Sequence, residues 1–141
     1  MRTRLTAGLV GACVAVLAAS TPARAHHAFA AEFDAKKPVK FEKATVTKVE
    51  WINPHSWIHV DVSMPGGSTE AWAIEAGTPN VLFRRGFTKE ALLPGTVIRI
   101  DGYRAKDGSH RANGRDLTLP NGRTLFLGSS GTGAAAEGQP K

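Results

Sequence analysis

The sequence contains almost no cysteine, few aromatic side chains and a single long apolar run. Cys13 is the one cysteine among 141 residues, and it lies inside that run. A chain with one cysteine forms no internal disulfide, so packing alone must stabilise its fold. The apolar run starts at Leu5 and covers about 15 residues, which is shorter than the roughly 20 that a membrane-spanning helix needs.

The first 25 residues have the three parts of a secretory signal peptide. Arg2 and Arg4 supply a positive start, the apolar run follows, and residues 23–25 (Ala-Arg-Ala) form an A-x-A cleavage site. This pattern predicts cleavage after Ala25 and an exported, periplasmic protein of 116 residues, with no membrane span in its mature form. Lipoprotein processing at Cys13 is the alternative, and it would leave the apolar residues 14–19 without a use.

Charge of one sign is also scarce once the leader is removed. Cleavage takes away three of the 18 basic residues and none of the 12 acidic ones, which leaves a net charge of +3. The mature chain has no long run of like charges. The high isoelectric point is therefore partly a property of the leader, and a nucleic-acid partner is not expected.

Alternation of apolar and polar residues predicts an all-β domain with one short helix. We expect a polar lead-in at residues 26–40, the domain at 41–127 and a disordered tail at 128–141. Three strands, a short helix and two or three further strands match a small OB-like antiparallel barrel of five to six strands. Another small antiparallel barrel or a sandwich is the alternative. The expected strands are 45–51, 56–62, 70–75, 96–103, 115–119 and 123–127, with the helix at 88–93.

The five histidines give the sharpest functional hypothesis, because cleavage makes His26 the first residue of the mature chain. An N-terminal histidine offers its α-amine and its imidazole to one metal ion. A second imidazole completes a planar set of three nitrogens, often called a histidine brace, and Cu(II) prefers such a tetragonal field. His27 offers a variant, in which the amine, the His27 amide and the His27 imidazole bind the ion.

His55 and His59 are the candidate partners for this metal site. They have the same parity on one strand, so they share a face about 13 Å apart, and one of them, not both, is expected to bind. Trp57 and Asp61 lie on that same face, and Asp61 is a candidate to orient the His59 ring from behind. The alternative is that these histidines are solvated surface residues and that no metal binds.

Several segments resemble a bacterial family of small exported proteins whose domain has no known function. The resemblance covers about residues 26–126 and is most specific at 51–55, where Trp-x-Asn-Pro-His occurs. It implies a secreted, single-domain protein and implies no activity. The segments are residues 26–29 (HHAF), 32–34 (EFD), 46–55 (VTKVEWINPH), 77–80 (GTPN), 84–86 (RRG) and 102–108 (GYRAKDG).

The sequence thus predicts a non-enzymatic periplasmic binding module for a small ligand or another envelope protein. Its most concrete form binds Cu(II) through His26 with His55 or His59. A metal-free structural or interaction domain, with Trp57 on its contact surface, is the alternative. A copper oxidoreductase would need an open metal position and a substrate surface, and the sequence indicates neither. It also offers no phosphate loop, Ser-His-Asp set or catalytic carboxylate pair.

Overall fold

The computed structural model describes residues 29–128, which include six strands and a short α-helix between the third and the fourth. In chain order the helix, α1, lies between the third and fourth strands and is followed by one 3₁₀ turn, Glu90–Leu92. The strands are β1 (Phe33–Glu50), β2 (Ser56–Ser63), β3 (Thr69–Ala76), β4 (Val97–Ala105), β5 (Arg111–Thr118) and β6 (Thr124–Phe126), and α1 is Pro79–Arg84.

The first five strands close into a ring, which confirms the predicted OB-like all-β fold. Strand β1 pairs antiparallel with both β2 and β4, β2 pairs with β3, and β4 pairs with β5. A short parallel pairing of β3 with β5 closes the ring, and β6 extends the sheet beyond β5. The helix between the third and fourth strands lies where an OB-like order puts one.

Strand β1 is long enough to belong to both sides of the barrel. Its register shifts between Phe41 and Ala44 on the β4 side, and between Val46 and Lys48 on the β2 side. Such irregularities bend a strand and increase its twist. The bends let β1 bond to β4 with its first half and to β2 with its second half.

The core follows the predicted alternation. On β2, Ile58 and Val60 are buried, whereas the intervening Trp57 and His59 are half-buried on the outer face. Ile74 on β3 packs into the same core. Burying a side chain of this size contributes about 1.5–3 kcal/mol.

The expectation of a polar lead-in up to residue 40 was wrong, because regular structure begins earlier. Residues 29–32 are helical and β1 starts at Phe33. Phe29 and Phe33 are buried against Ala105 and Tyr103 in a second, smaller apolar cluster. These two aromatic side chains anchor an otherwise charged segment to β4.

The helix was also predicted in the wrong place. Thr78 caps α1, since its side-chain oxygen accepts the Val81 N–H at 3.4 Å, and Pro79 follows at the first helical position. The segment predicted as helix, 88–93, contains only the 3₁₀ turn. There the Thr88 hydroxyl accepts the Ala91 N–H at 3.1 Å, and Lys89 is the residue at the cap position of the turn.

The last two strands agree with the predictions apart from their ends. Strand β5 starts four residues earlier than expected, at Arg111, and β6 covers only Thr124–Phe126. Gly122 has a φ of +83°, which explains why Asn121-Gly122 forms the tight turn between them.

The predicted signal peptide, residues 26–28 and all but the first residue of the predicted tail lie outside the described residues. Between residues 29 and 128, no helix has the length and apolarity needed to cross a membrane.

Candidate functional site

One row of outward-facing residues crosses five strands of the barrel. Backbone pairing places Glu50 of β1 opposite Trp57 of β2, and Trp57 opposite Glu75 of β3. Glu75 is paired with Asn113 of β5, and Asn113 with Tyr103 of β4. The row therefore sets a carboxylate on each side of Trp57 and leads towards the docked start of the chain.

Glu75 is the centre of a buried polar group in this row. Its side chain accepts a hydrogen bond from the Asn113 Nδ2 at 3.4 Å, and both residues are buried. The Asn113 Oδ1 has no hydrogen-bond partner in the described part of the chain. His55 lies just before β2, after the Asn53–Pro54 turn, and its Nδ1 is 3.6 Å from the Glu75 Oε1.

Burial raises the pKa of Glu75 above its ordinary value. The positive charge expected on a protonated His55 acts in the opposite direction, and the negative charge of Glu32 raises the pKa further. The Asn113 hydrogen bond and the Arg111 guanidinium also lower it, but burial is the largest effect. A carboxyl with a raised pKa beside a histidine is the kind of group that functional sites contain.

The first described residues, 29–33, dock on the barrel next to this carboxyl. Phe29 packs edge-on against Tyr103, with ring centroids 5.7 Å apart. The Glu32 carbonyl accepts the Lys106 N–H at 2.9 Å, and the Glu32 carboxylate is 3.8 Å from Arg111. We call residues 29–33 the N-terminal anchor, because these contacts fix the start of the described chain to β4 and β5.

The second histidine on this face has a different partner from the predicted one. The His59 Nε2 is 2.8 Å from the Glu50 Oε2, so Glu50, rather than Asp61, is the carboxylate that orients this ring. The Lys48 ammonium bonds to the same carboxylate at 2.6 Å. The Lys48 and His59 hydrogen bonds, in that order, lower the pKa of Glu50.

The structure places the predicted residues on one face and does not gather them at one point. His55 and His59 each face their own carboxylate, and Trp57 lies between them in sequence on the same side of β2. Asp61 is exposed further along that strand. His26 and His27 lie outside the described residues. Within residues 29–128, no three His, Cys, Asp or Glu side chains are grouped to hold a metal ion.

Sequence reasoning missed Glu75 and Asn113. Alternation on β3 puts Trp72 and Ile74 on the inner face and Glu75 on the outer one. It does lie on the outer face, but it is buried. The sequence signal for this burial is weak. Phe29 and Phe33 are aromatic residues in a polar segment, and nothing in the sequence shows where they would dock.

His110, to which the sequence gave no role, stacks on Trp72 at the start of β3. The two ring centroids are 4.9 Å apart and the planes differ by 15°. The Trp72 Nε1 donates to the Glu70 carboxylate at 3.0 Å. This contact covers the buried Trp72, and we assign His110 a packing role.

A family model described as a family of unknown function, DUF6152, matches residues 14–114. The chain belongs to this family. The matched range begins inside the apolar run and ends within β5, so it stops short of the resemblance expected up to about residue 126. It includes the N-terminal anchor, His55, Glu75 and Asn113. No curated protein and no solved structure matches the sequence significantly.

Proposed function

We propose that this chain is an exported OB-like binding module that holds Cu(II) at its mature N-terminus. The ligands are the α-amine and imidazole of His26 and the imidazole of His55. The observation that carries the proposal is the docking of the N-terminal anchor, whose Glu32 lies close enough to Glu75 to raise its pKa. His55 is 3.6 Å from that same carboxyl.

The distances along the chain are compatible with this site. His26 precedes Phe29 by three residues, and an extended chain spans at most about 3.6 Å per residue, so about 10 Å separate them at most. Phe29 packs on Tyr103, which is two strands away from Glu75 in the outward-facing row. Neighbouring strands are about 4.8 Å apart, so the mature N-terminus has the reach to meet His55.

The chemistry of the donors favours copper. An α-amine and two imidazoles make a nitrogen field of the kind that Cu(II) prefers, and Cu(II) has the highest affinity among the first-row divalent ions. An α-amine titrates near 7.7–8.0, so it is available as a ligand near neutral pH. Glu75 adds a buried negative charge near the site without competing for the planar positions.

His55 is a better third ligand than His59. The Glu50 carboxylate beside His59 is bonded to the Lys48 ammonium, whose positive charge disfavours a bound cation. Among residues 29–128, no lysine or arginine forms an ion pair with Glu75, the carboxylate beside His55, although the Arg111 charge acts on it. His55 also lies just before the start of β2 rather than within the strand.

The test is a Cu(II) titration of protein exported to the periplasm and purified from it, with the intact mass measured on the same sample. We expect a mass that begins at His26 and one copper bound with a dissociation constant below about 1 μM, on the order of 8 kcal/mol of binding free energy. A mass that begins at His26 with only weak, non-stoichiometric copper would contradict the proposal.

Two controls separate the modes of binding. Acetylation of the His26 α-amine keeps every side chain and removes the amine as a ligand, so it should abolish tight binding. Replacement of His27 by alanine should leave the His26 brace intact, whereas it would remove the variant chelate made by the amine and His27. Unchanged binding after acetylation would rule out both, since both use the α-amine.

A metal-free interaction domain is the second candidate, and the exposure of Trp57 favours it. Trp57 is half-buried on the outer face, and the nearby Ile52 is half-exposed. This alternative predicts that Trp57→Ala reduces the capture of a periplasmic partner and that adding or removing copper changes nothing. Capture that is the same for both proteins would exclude Trp57 from the contact surface.

A further inference from the structure

We infer that Glu75 is a positioning residue that orients the His55 ring and keeps its Nε2 free for a metal ion. This inference rests on the proposed copper site and adds a residue that the brace itself does not require. The decisive geometry is the 3.6 Å between the His55 Nδ1 and the Glu75 Oε1, together with the burial of Glu75.

A buried carboxylate needs hydrogen-bond donors, and few are available to Glu75. Asn113 supplies one donor, at the long distance of 3.4 Å. The His55 Nδ1 is the other nitrogen that faces the carboxylate, and a shift of about half an ångström would bring it to hydrogen-bond distance. Leaving a buried charged acceptor unsatisfied is costly, so the His55 proton is held on Nδ1.

The position of that proton decides which nitrogen can bind copper. A neutral imidazole carries one proton, and the nitrogen without it has the free lone pair. With the proton on Nδ1 towards Glu75, the Nε2 of His55 is the available donor. Carboxylates behind metal-binding histidines fix the ring in this way, and their loss typically reduces metal affinity by about 10–100-fold.

The neighbouring pair on the same face provides a matched control. His59 meets Glu50 through its Nε2, at 2.8 Å, so that carboxylate occupies the nitrogen that Glu75 leaves free on His55. Glu50→Gln removes the same chemical group as Glu75→Gln, two strands away in the outward-facing row. Only Glu75→Gln should affect copper.

The first experiment needs no metal. Nitrogen NMR of the mature protein at alkaline pH reports which ring nitrogen of each histidine carries the proton. We expect the His55 proton on Nδ1 in the parent, and appearance of the Nε2-protonated form in Glu75→Gln. The same His55 tautomer in both proteins would overturn the inference. Thermal unfolding of the variant checks that it is folded.

The second experiment is a double-mutant cycle on copper affinity. Glu75→Gln should weaken binding about 10–100-fold in the parent and should have no further effect in the His55→Ala background, since it acts through that ring. Glu50→Gln should bind as the parent does. Equal affinity of Glu75→Gln and the parent, or an equal loss in the His55→Ala background, would overturn the inference.

The two experiments also separate this inference from the copper proposal. If the parent binds no copper tightly, the proposed function fails, and the tautomer measurement still decides whether Glu75 orients His55. If copper binds tightly and the tautomer does not respond to Glu75→Gln, the copper site stands and the role of Glu75 is wrong.

Discussion

The two histidine–carboxylate pairs on the outer face use the same residue types in opposite environments. His59 and Glu50 are in direct contact at 2.8 Å, and Lys48 shares the carboxylate, whose pKa is lowered. His55 and Glu75 are 3.6 Å apart, and burial is the main cause of the raised pKa of Glu75. The carboxylate in the shorter contact therefore has a lowered pKa, whereas the carboxylate in the longer contact has a raised one.

The difference arises from what covers each carboxylate. Glu50 lies on a half-open surface, where the Lys48 ammonium and the His59 ring contact its carboxylate. Glu75 is covered on the side of the N-terminal anchor, where Glu32 adds a second negative charge and only Asn113 donates a hydrogen bond. Desolvation acts on the whole group, whereas one hydrogen bond offsets only part of that cost. The covered pair is the one that we expect to carry function.

The largest expected effect is on copper binding by the two histidines. His55→Ala should weaken binding at least about a hundredfold, on the order of 2.7 kcal/mol, whereas His59→Ala should leave it unchanged. Isothermal titration of the mature proteins measures both affinities. If the two variants lose affinity equally, the distinction between the pairs fails.

The next effect is on folding stability. Asn113→Ala removes the side-chain donor of a buried carboxylate and should lower the free energy of unfolding by about 1–3 kcal/mol. Lys48→Ala removes the corresponding donor from Glu50, and we expect a much smaller loss because that pair is open to solvent. Urea unfolding curves of the two variants give the comparison, and equal losses would contradict it.

The pH dependence of stability should have opposite signs for the two carboxyls. Glu75 has a folded pKa above its ordinary value of about 4.5, so its charge costs stability as the pH rises above 4.5 towards the folded pKa. Relative to the parent, Glu75→Gln should therefore gain stability over that rise. Glu50 has a lowered pKa, so its contribution is present above 4.5 and is lost as the pH falls through its folded pKa.

Glu50→Gln should accordingly be less stable than the parent at neutral pH, and this deficit should vanish in acid. Urea unfolding of the parent and both variants from acid to neutral pH tests the two slopes. Slopes of the same sign would show that burial does not control Glu75.

The smallest expected effect concerns the neighbouring charge. Glu32→Gln should lower the pKa of Glu75 towards its ordinary value, because Glu32 raises it in the parent. Stability should change by no more than about 1 kcal/mol, since the Glu32–Arg111 pair is largely exposed. A carboxyl-carbon NMR titration measures the pKa of Glu75 in both proteins. The same pKa in the parent and in Glu32→Gln would show that the Glu32 charge does not affect Glu75.

The elements with clear local signals were predictable. The alternation of Ile58 and Val60 with Trp57 and His59 fixed the two faces of β2, and Asn121-Gly122 marked the last turn. In each case neighbouring residues carried the information. The strand order followed from the number of strands and the position of a helical segment between the third and fourth.

The parts that were missed depend on contacts between distant residues. Residues 34–40 are charged and exposed without alternation, so nothing local marks them as part of β1, which is held by its pairing with β4. The burial of Glu75 likewise depends on the N-terminal anchor and on Asn113. Thr78-Pro79 is a usable start signal for α1. The composition of residues 88–93 also favours a helix, and local sequence does not show which of the two segments forms one.

The contacts of the N-terminal anchor join residues that are far apart in sequence, and this separation constrains when the anchor can dock. Lys106 donates to the Ala30 carbonyl across 76 positions of sequence, and Tyr103 and Arg111 are similarly far from the residues that they hold. If residues 1–25 are a signal peptide, these partners cross the membrane long after the cleavage junction does. The N-terminal anchor can therefore dock only after residues 103–111 are present on the same side of the membrane.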